Sequence, residues 1–223
     1  MKKIALNIFI VAIAYCCCAQ TPVKFYENAK VGYKRPDGSI LVPAQYDAGS
    51  DYYEGYAIVI KNRKRGYLDE KGNVAIALQY EDASIFINGR ARVKKDGLYG
   101  FINTKAQPLI SFQFTIAYDF NNGRALVQID NKYGFIDTTG TVVIPATYER
   151  ARSFAGGLAA VMNNRKWGFV NTAGTVAIPM EYDMVQDYSK GMCRVTKGED
   201  EFYIDTRNNF VKEAEKRKDP DAK

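Results

Sequence analysis

Histidine is absent from this 223-residue chain. Its absence removes Ser-His and Cys-His nucleophilic systems and most zinc sites, which need imidazole as base or ligand. Cysteine is scarce. Cys16, Cys17 and Cys18 crowd the N-terminus and leave Cys193 alone in the rest of the chain, so no internal disulfide is expected there. Tryptophan occurs once, at Trp167. No glycine loop with the spacing that cradles phosphate appears, because the glycines obey a different register. Charge is mild. Without Lys2 and Lys3, 29 Lys and Arg face 25 Asp and Glu, a net charge of +4. That balance permits an acidic partner without demanding one, and with no reader motif it fits nucleic acid poorly.

The one long apolar run is Ile4–Tyr15, interrupted by Asn7 and preceded by Lys2 and Lys3. It is too short for a membrane span and has the layout of a secretory signal, residues 1–19, cut after Ala19. The alternative is lipidation at Cys16, Cys17 or Cys18, against which stands the bulky Tyr15. The expected location is therefore secreted, periplasmic or outer-membrane associated. No transmembrane span is expected in the mature chain, and a lipid anchor is the variant of that reading.

What the sequence has in abundance is repetition. Lys166-Trp167-Gly168-Phe169-Val170-Asn171 recurs 34 residues earlier as Lys132-Tyr133-Gly134-Phe135-Ile136-Asp137. Further steps give Leu98-Tyr99-Gly100-Phe101-Ile102-Asn103, Lys64-Arg65-Gly66-Tyr67-Leu68-Asp69 and Lys30-Val31-Gly32-Tyr33, and a worn copy follows at Phe202-Tyr203-Ile204-Asp205. A second aromatic register runs Tyr46, Tyr80, Phe114, Tyr148, Tyr182, and a third runs Tyr52, Phe86, Phe120, Phe154, Tyr188. A fixed period of this size means an array of supersecondary units whose core is a continuous stack.

Each unit divides into three short strands joined by turn-like segments, as in Gly157–Val161, Lys166–Asn171 and Val176–Pro179. Short turns imply antiparallel neighbours, so the unit is a three-stranded meander. Gly38, Gly72, Gly140 and Gly174 hold a turn position that suits positive φ. Ala106 and Asn208 replace them, and Ala106 must strain or change the turn. Pro43, Pro145 and Pro179 are expected to end the third strand. About a dozen residues then lead to the next meander, an ordered connector pinned by the second and third aromatics. In the first strand Ala57/Val59, Ala91/Val93, Ala125/Val127, Ala159/Val161 and Cys193/Val195 are nearly fixed, whereas Ile58, Arg92, Leu126, Ala160 and Arg194 vary. Strand alternation puts the two sets on opposite faces, the fixed set toward the core and the variable set toward solvent or a partner.

The expected fold is all-β: tandem three-stranded antiparallel meanders of 34-residue period, six in number, over residues 20–210, with a charged tail at 211–223. The degenerate first and last copies favour an open β-solenoid-like array, because terminal repeats need polar caps. A closed six-bladed β-propeller is the alternative.

Trp167-Gly168-Phe169-Val170, with Gly174, Ile178-Pro179, Glu181-Tyr182-Asp183 and Gly191, resembles the WG-containing repeat family of bacteria. Tyr133-Gly134-Phe135-Ile136-Asp137, Gly140, Ile144-Pro145 and Tyr148-Glu149 match as well, and the resemblance covers most of residues 22–210. Only one copy carries the Trp, and the copy at 99–115 lacks the turn Gly and its Pro. The resemblance implies a secreted or envelope-associated repeat protein that binds something, and it carries no catalytic residues.

Carboxylates are the only acid/base groups in register. Asp69, Asp137 and Asp205, alternating with Asn103 and Asn171, are read as turn residues bonding their own backbone. Asp47, Glu81, Glu149 and Asp183 follow the second aromatic and obey the repeat just as strictly. No catalytic residue, cofactor or metal is therefore assigned. The candidate partner-binding face consists of Arg90, Arg92, Lys94 and Arg124, with Lys61 and Arg63 on the preceding hairpin, and the aromatics Tyr99, Tyr133 and Trp167. The partner class is an unknown protein, an anionic glycan or another envelope component. The reading is a non-enzymatic binding or scaffolding module at the bacterial envelope. The alternative is a carbohydrate-active protein, glycan-binding or hydrolysing glycans with two carboxylates.

Overall fold

A computed structural model of the chain describes residues 21–214, so the expected signal and its cysteines lie outside the described residues. The described part is all-β and builds six antiparallel sheets. The first contains β1 (Val23–Glu27), β2 (Lys30–Lys34) and β3 (Ile40–Tyr46). The second contains β4 (Ala48–Gly49), β5 (Tyr56–Lys61), β6 (Lys64–Asp69) and β7 (Val74–Tyr80), and the third β8 (Asp82–Ala83), β9 (Arg90–Lys95), β10 (Leu98–Asn103) and β11 (Pro108–Phe114). The fourth contains β12 (Ile116–Ala117), β13 (Ala125–Ile129), β14 (Lys132–Ile136) and β15 (Val142–Tyr148). The fifth contains β16 (Arg150–Ala151), β17 (Leu158–Asn163), β18 (Lys166–Asn171) and β19 (Val176–Tyr182). The sixth contains β20 (Met184–Val185), β21 (Met192–Lys197), β22 (Asp200–Asp205) and β23 (Phe210–Glu213). The array thus runs to Glu213, three residues past its expected end.

Five of the six sheets have four strands where three were expected. The extra strand is the first part of the connector. Two residues, such as Ala48-Gly49 or Arg150-Ala151, pair with the first long strand of the following sheet. The rest of the connector closes on itself through a two-residue turn, as at Glu54-Gly55, Asn88-Gly89 and Asn122-Gly123, where both residues have positive φ. That is the geometry of a type I′ turn, and it explains why glycine also recurs as Gly55, Gly89, Gly123, Gly157 and Gly191. A connector with this much backbone pairing keeps its length.

The prolines do not end their strands. Pro145 lies inside β15, between Ile144, which pairs with Phe135, and Tyr148, which pairs with Tyr133. Residues 145–147 bulge out of register there, so the missing proline N–H leaves no ladder bond unmade. The bulge presses against Gly134, where an added Cβ would lie 2.6 Å from the Ile144 carbonyl oxygen. Close approach, and not unusual φ, explains the glycine beside the aromatic. Ala106 keeps the turn geometry of its glycine counterparts and accepts the strain, at φ 61°.

Successive sheets stack face to face, and one buried apolar cluster fills each of the five interfaces. Within a unit the aromatic after the glycine meets the third aromatic, as in Phe101–Phe120 at 4.8 Å and Phe135–Phe154 at 4.9 Å between ring centres. The fixed residues of the first long strand face the preceding sheet. The variable ones face the following sheet: Leu126 and Ala160, each 2% exposed, are packed between sheets and not in solvent. The expectation of a solvent-facing variable surface is corrected here. With sheets on both sides, both faces of an interior sheet are core.

The array stays open. Turn glycines dock on the preceding sheet: a Cβ on Gly140 would meet Ile110 at 3.1 Å, and one on Gly174 would meet Ile144 at 3.2 Å. Gly38, in the first sheet, has nothing within 4 Å. At the other end the register Val42, Ile76, Ile110, Ile144, Ile178 closes with Lys212, which offers no apolar socket. Among the described residues no strand of the first sheet makes an extended contact with a strand of the sixth.

Candidate functional site

Stacking gives the molecule two rims. One carries the hairpins at Asn62-Arg63, Asp96-Gly97, Asp130-Asn131 and Asn164-Arg165, where both turn residues have positive φ. The opposite rim carries the Asp/Asn turns. There the oxygen of Asp69, Asn103, Asp137, Asn171 or Asp205 accepts from the backbone N–H two and four residues on, at 2.8–3.0 Å. Asp47 and Asp183 cap hairpins instead, accepting from the N–H of Asn62 at 2.8 Å and of Gly198 at 2.9 Å. Side-chain hydrogen bonds from Lys30, Lys166 and Asn209, with these backbone donors beside them, hold the Asp47, Asp183 and Asp205 carboxyls below the usual carboxylate range. The register aspartates Asp47, Asp69, Asp137, Asp183 and Asp205 therefore hold backbone N–H groups, as their spacing implied.

The nine candidate face residues do not form one face. Arg90 and Arg124 point to the turn rim. Arg90 donates to the Thr138 carbonyl at 2.9 Å and lies 5.1 Å from the Phe120 ring, and Arg124 donates to the Thr172 carbonyl at 3.0 Å. Each reaches a turn of the next sheet, 48 residues on, and ties the stack together. Arg92 sits in mid-strand. It donates to the Ala117 carbonyl at 2.7 Å and pairs with Asp82 at 3.4 Å and Asp119 at 3.5 Å, while Arg65 approaches Asp82 at 3.7 Å. Two arginines and two aspartates neutralise one another between sheets.

Lys94 and Tyr99 do meet, at 5.3 Å, and the Tyr99 hydroxyl donates to Asp82 at 3.2 Å. Burial and the Asp82 charge push the Tyr99 phenol pKa up. Lys61 and Arg63 are exposed on the hairpin rim. Tyr99, Tyr133 and Trp167 are half-buried on that rim, each against the cluster shared with the next sheet.

One feature escaped the sequence reading. Between the fifth and sixth sheets the hairpin rim opens into a cleft of about 790 Å³, lined by Arg150, Arg152, Arg165, Lys166, Trp167 and Asp183, with Met162 and Met184 as apolar walls. The Arg152 guanidinium lies 5.5 Å from the Trp167 ring centre and pairs with Asp187 at 3.5 Å. Lys166 pairs with Asp183 at 2.5 Å. Arg150 and Arg165 are exposed and form no salt bridge to a described residue. The signal was available: Arg150 and Arg152 stand where other copies carry Ala48 and Ser50, Asp82 and Ser84, or Ile116 and Tyr118.

The family model described as WG containing repeat matches in five tandem units, residues 32–64, 66–99, 99–133, 133–167 and 167–199. A search of the curated proteins by sequence returns no match. Among solved structures the chain is similar to one titled as the crystal structure of the eukaryotic initiation factor, with TM-score 0.53 and 11% identity over 85% of this chain. The chain spans 62% of that protein's length. It is also similar to Hsv2 of Kluyveromyces lactis, with TM-score 0.52 and 9% identity, covering 86% of this chain and 72% of that one. At such identities the likeness shows the fold alone, a propeller-like succession of four-stranded sheets.

Proposed function

The chain belongs to the WG containing repeat family, and from that premise we propose that it is a non-enzymatic binding module of the bacterial envelope. Its working surface is the hairpin rim and its partner an acidic envelope component. The observation that supports this is the charge on that rim. Lys61, Arg63, Lys64, Lys95, Lys132 and Arg165 are all exposed there, spread over four consecutive sheets. Cations presented in a row on a stiff backbone attract an extended anion, and the attraction weakens with salt. The register residues Asp47, Asp69, Asp137, Asp183 and Asp205 hold backbone N–H groups, which favours binding over acid/base chemistry. Secretion follows from the reading of residues 1–19 as a signal.

The test is retention of envelope fractions by the purified protein beside a Lys61→Glu, Lys64→Glu, Lys95→Glu variant, with salt varied. Retention should fall sharply in the variant and with rising salt. A variant with an unchanged circular dichroism spectrum and undiminished retention would refute the rim as the binding surface.

A further inference from the structure

The cleft between the fifth and sixth sheets has more structure than a charged surface needs. We propose that it is a binding subsite for an acidic saccharide, a pyranose ring carrying a carboxylate or phosphate. The inference rests on the proposed binding role of the rim and names the ligand of one place on it.

Four cations and one carboxylate line the cleft. Lys166 and Asp183 neutralise each other. The Arg152 guanidinium lies 5.5 Å from the Trp167 ring centre and pairs with Asp187 at 3.5 Å, two contacts that restrict it before a ligand arrives. Such preorganisation lowers the ordering cost of binding. Arg150 and Arg165 line the same cleft, exposed and without a salt bridge to a described residue. Guanidinium forks donate two N–H groups at once to carboxylate or phosphate oxygens, which a lysine point charge does not do.

The remaining wall is apolar: Trp167, Met162, Val185 and the exposed Met184. The thioethers of Met162 and Met184, beside the Trp167–Arg152 pair, give the C–H face of a sugar ring a surface to lie on. The volume of about 790 Å³ is within the range of roughly 300–1,000 Å³ usual for small-molecule sites. The cleft opens on the rim, so a sugar within a longer polymer can occupy it while its neighbours run along the row of cations. An inorganic anion would leave the apolar wall unused.

Trp167 is the only tryptophan in the chain, so its fluorescence reports on this cleft and on no other place. The experiment titrates the purified protein with trigalacturonate, maltotriose, an Asp-rich hexapeptide and glucosamine 1-phosphate, following Trp167 emission. Saturable change is expected with trigalacturonate or with the sugar phosphate, and none with maltotriose. The two acidic probes separate a carboxylated polysaccharide from a phosphosugar headgroup as the source. Arg150→Glu with Arg165→Glu should weaken binding by at least about tenfold, a loss of about 1.4 kcal/mol. A Lys105→Glu variant should leave trimer binding within about twofold, because that exposed residue lies on the opposite rim, two sheets away. No saturable change with either acidic sugar would overturn the subsite, as would an equal response to maltotriose or a response to the peptide alone. If the envelope is still retained and lost on rim charge reversal, the binding role stands and only the subsite fails.

Discussion

Replacing Gly134 with alanine puts the docking of bulge against glycine to a direct test. The added Cβ would lie 2.6 Å from the Ile144 oxygen, 2.7 Å from the Ala146 nitrogen and 2.8 Å from its Cα, all backbone atoms. None can rotate away, so β15 must retreat. Overpacking of this kind costs about 1–3 kcal/mol. Losing one flanking ladder bond adds about 1 kcal/mol. The sum is about 3 kcal/mol, which for a chain of this length lowers Tm by about 6–12 °C. Gly123→Ala is the control. Its φ is +73° and nothing lies within 4 Å, so the change costs only the left-handed strain, about 1 kcal/mol or 2–4 °C. Gly168→Ala, whose nearest contacts are 2.5 and 2.7 Å, should be at least as damaging as Gly134→Ala. Gly100→Ala, at 2.8 and 3.1 Å, should be milder. Thermal and urea melts followed by circular dichroism measure all four. If Gly134→Ala costs no more than Gly123→Ala, close approach is not why glycine stands in this register.

Leu126→Ala should cost about 2–5 kcal/mol, the range for a buried leucine, whereas a solvent-facing residue would cost under about 0.5 kcal/mol; urea midpoints decide between these. Ala29→Gly should raise stability by about 1 kcal/mol in the same assay, since Ala29 sits exposed at φ 58°. Stability should fall at both ends of the pH scale. The lowered carboxyls of Asp47, Asp137, Asp183 and Asp205 stabilise the fold above their unfolded pKa of about 3.9 and lose that contribution as pH drops through their lower folded values. Burial raises the phenols of Tyr33, Tyr67 and Tyr188, and the charges of nearby groups add to this; their contribution is whole below about pH 10 and fades as pH climbs toward the folded values. A Tm-versus-pH curve flat between about pH 5 and 9 and falling on both sides is expected; a fall already complete by pH 6 would contradict it. Cys193 is buried, its thiol pushed up to about 11, with Sγ donating to the Gln186 carbonyl at 2.9 Å. A disulfide reagent at pH 8 should therefore label it slowly in the native protein and quickly in urea.

The architecture was legible because each interior interface repeats the same contacts. Phe135 and Phe154, or Tyr33 and Tyr52, recur at 34-residue steps since each unit docks on its neighbour in the same way. What escaped was too short or too distant in sequence to leave a pattern. A two-residue strand such as Asp82-Ala83 has no period. Pro145 looked like a terminator because the bulge that excuses its missing N–H involves Gly134 on another strand. Variation at Leu126, Ala160 and Arg92 resembled freedom of a solvent face, yet it is compensated across the interface. The acids that balance Arg92 are Asp82, on the short strand beside its own, and Asp119, at the edge of the next sheet. Spacing along one chain shows that Arg90 and Arg92 break the repeat; it does not show which groups surround them. The same scan applied at Arg150 and Arg152 would have marked the Trp167 cleft.

Lys212 stands on the sixth sheet at a register that is apolar on the other five. Every interior sheet offers an apolar residue at that register and receives its neighbour's turn on it, so donor and acceptor travel together in each 34-residue segment. A segment duplicated between two interior copies would bring both halves of a joint and need no new packing solution. Lineages can lengthen or shorten such a chain one unit at a time. The rim changes length by the same step, and with it the reach of whatever the rim holds.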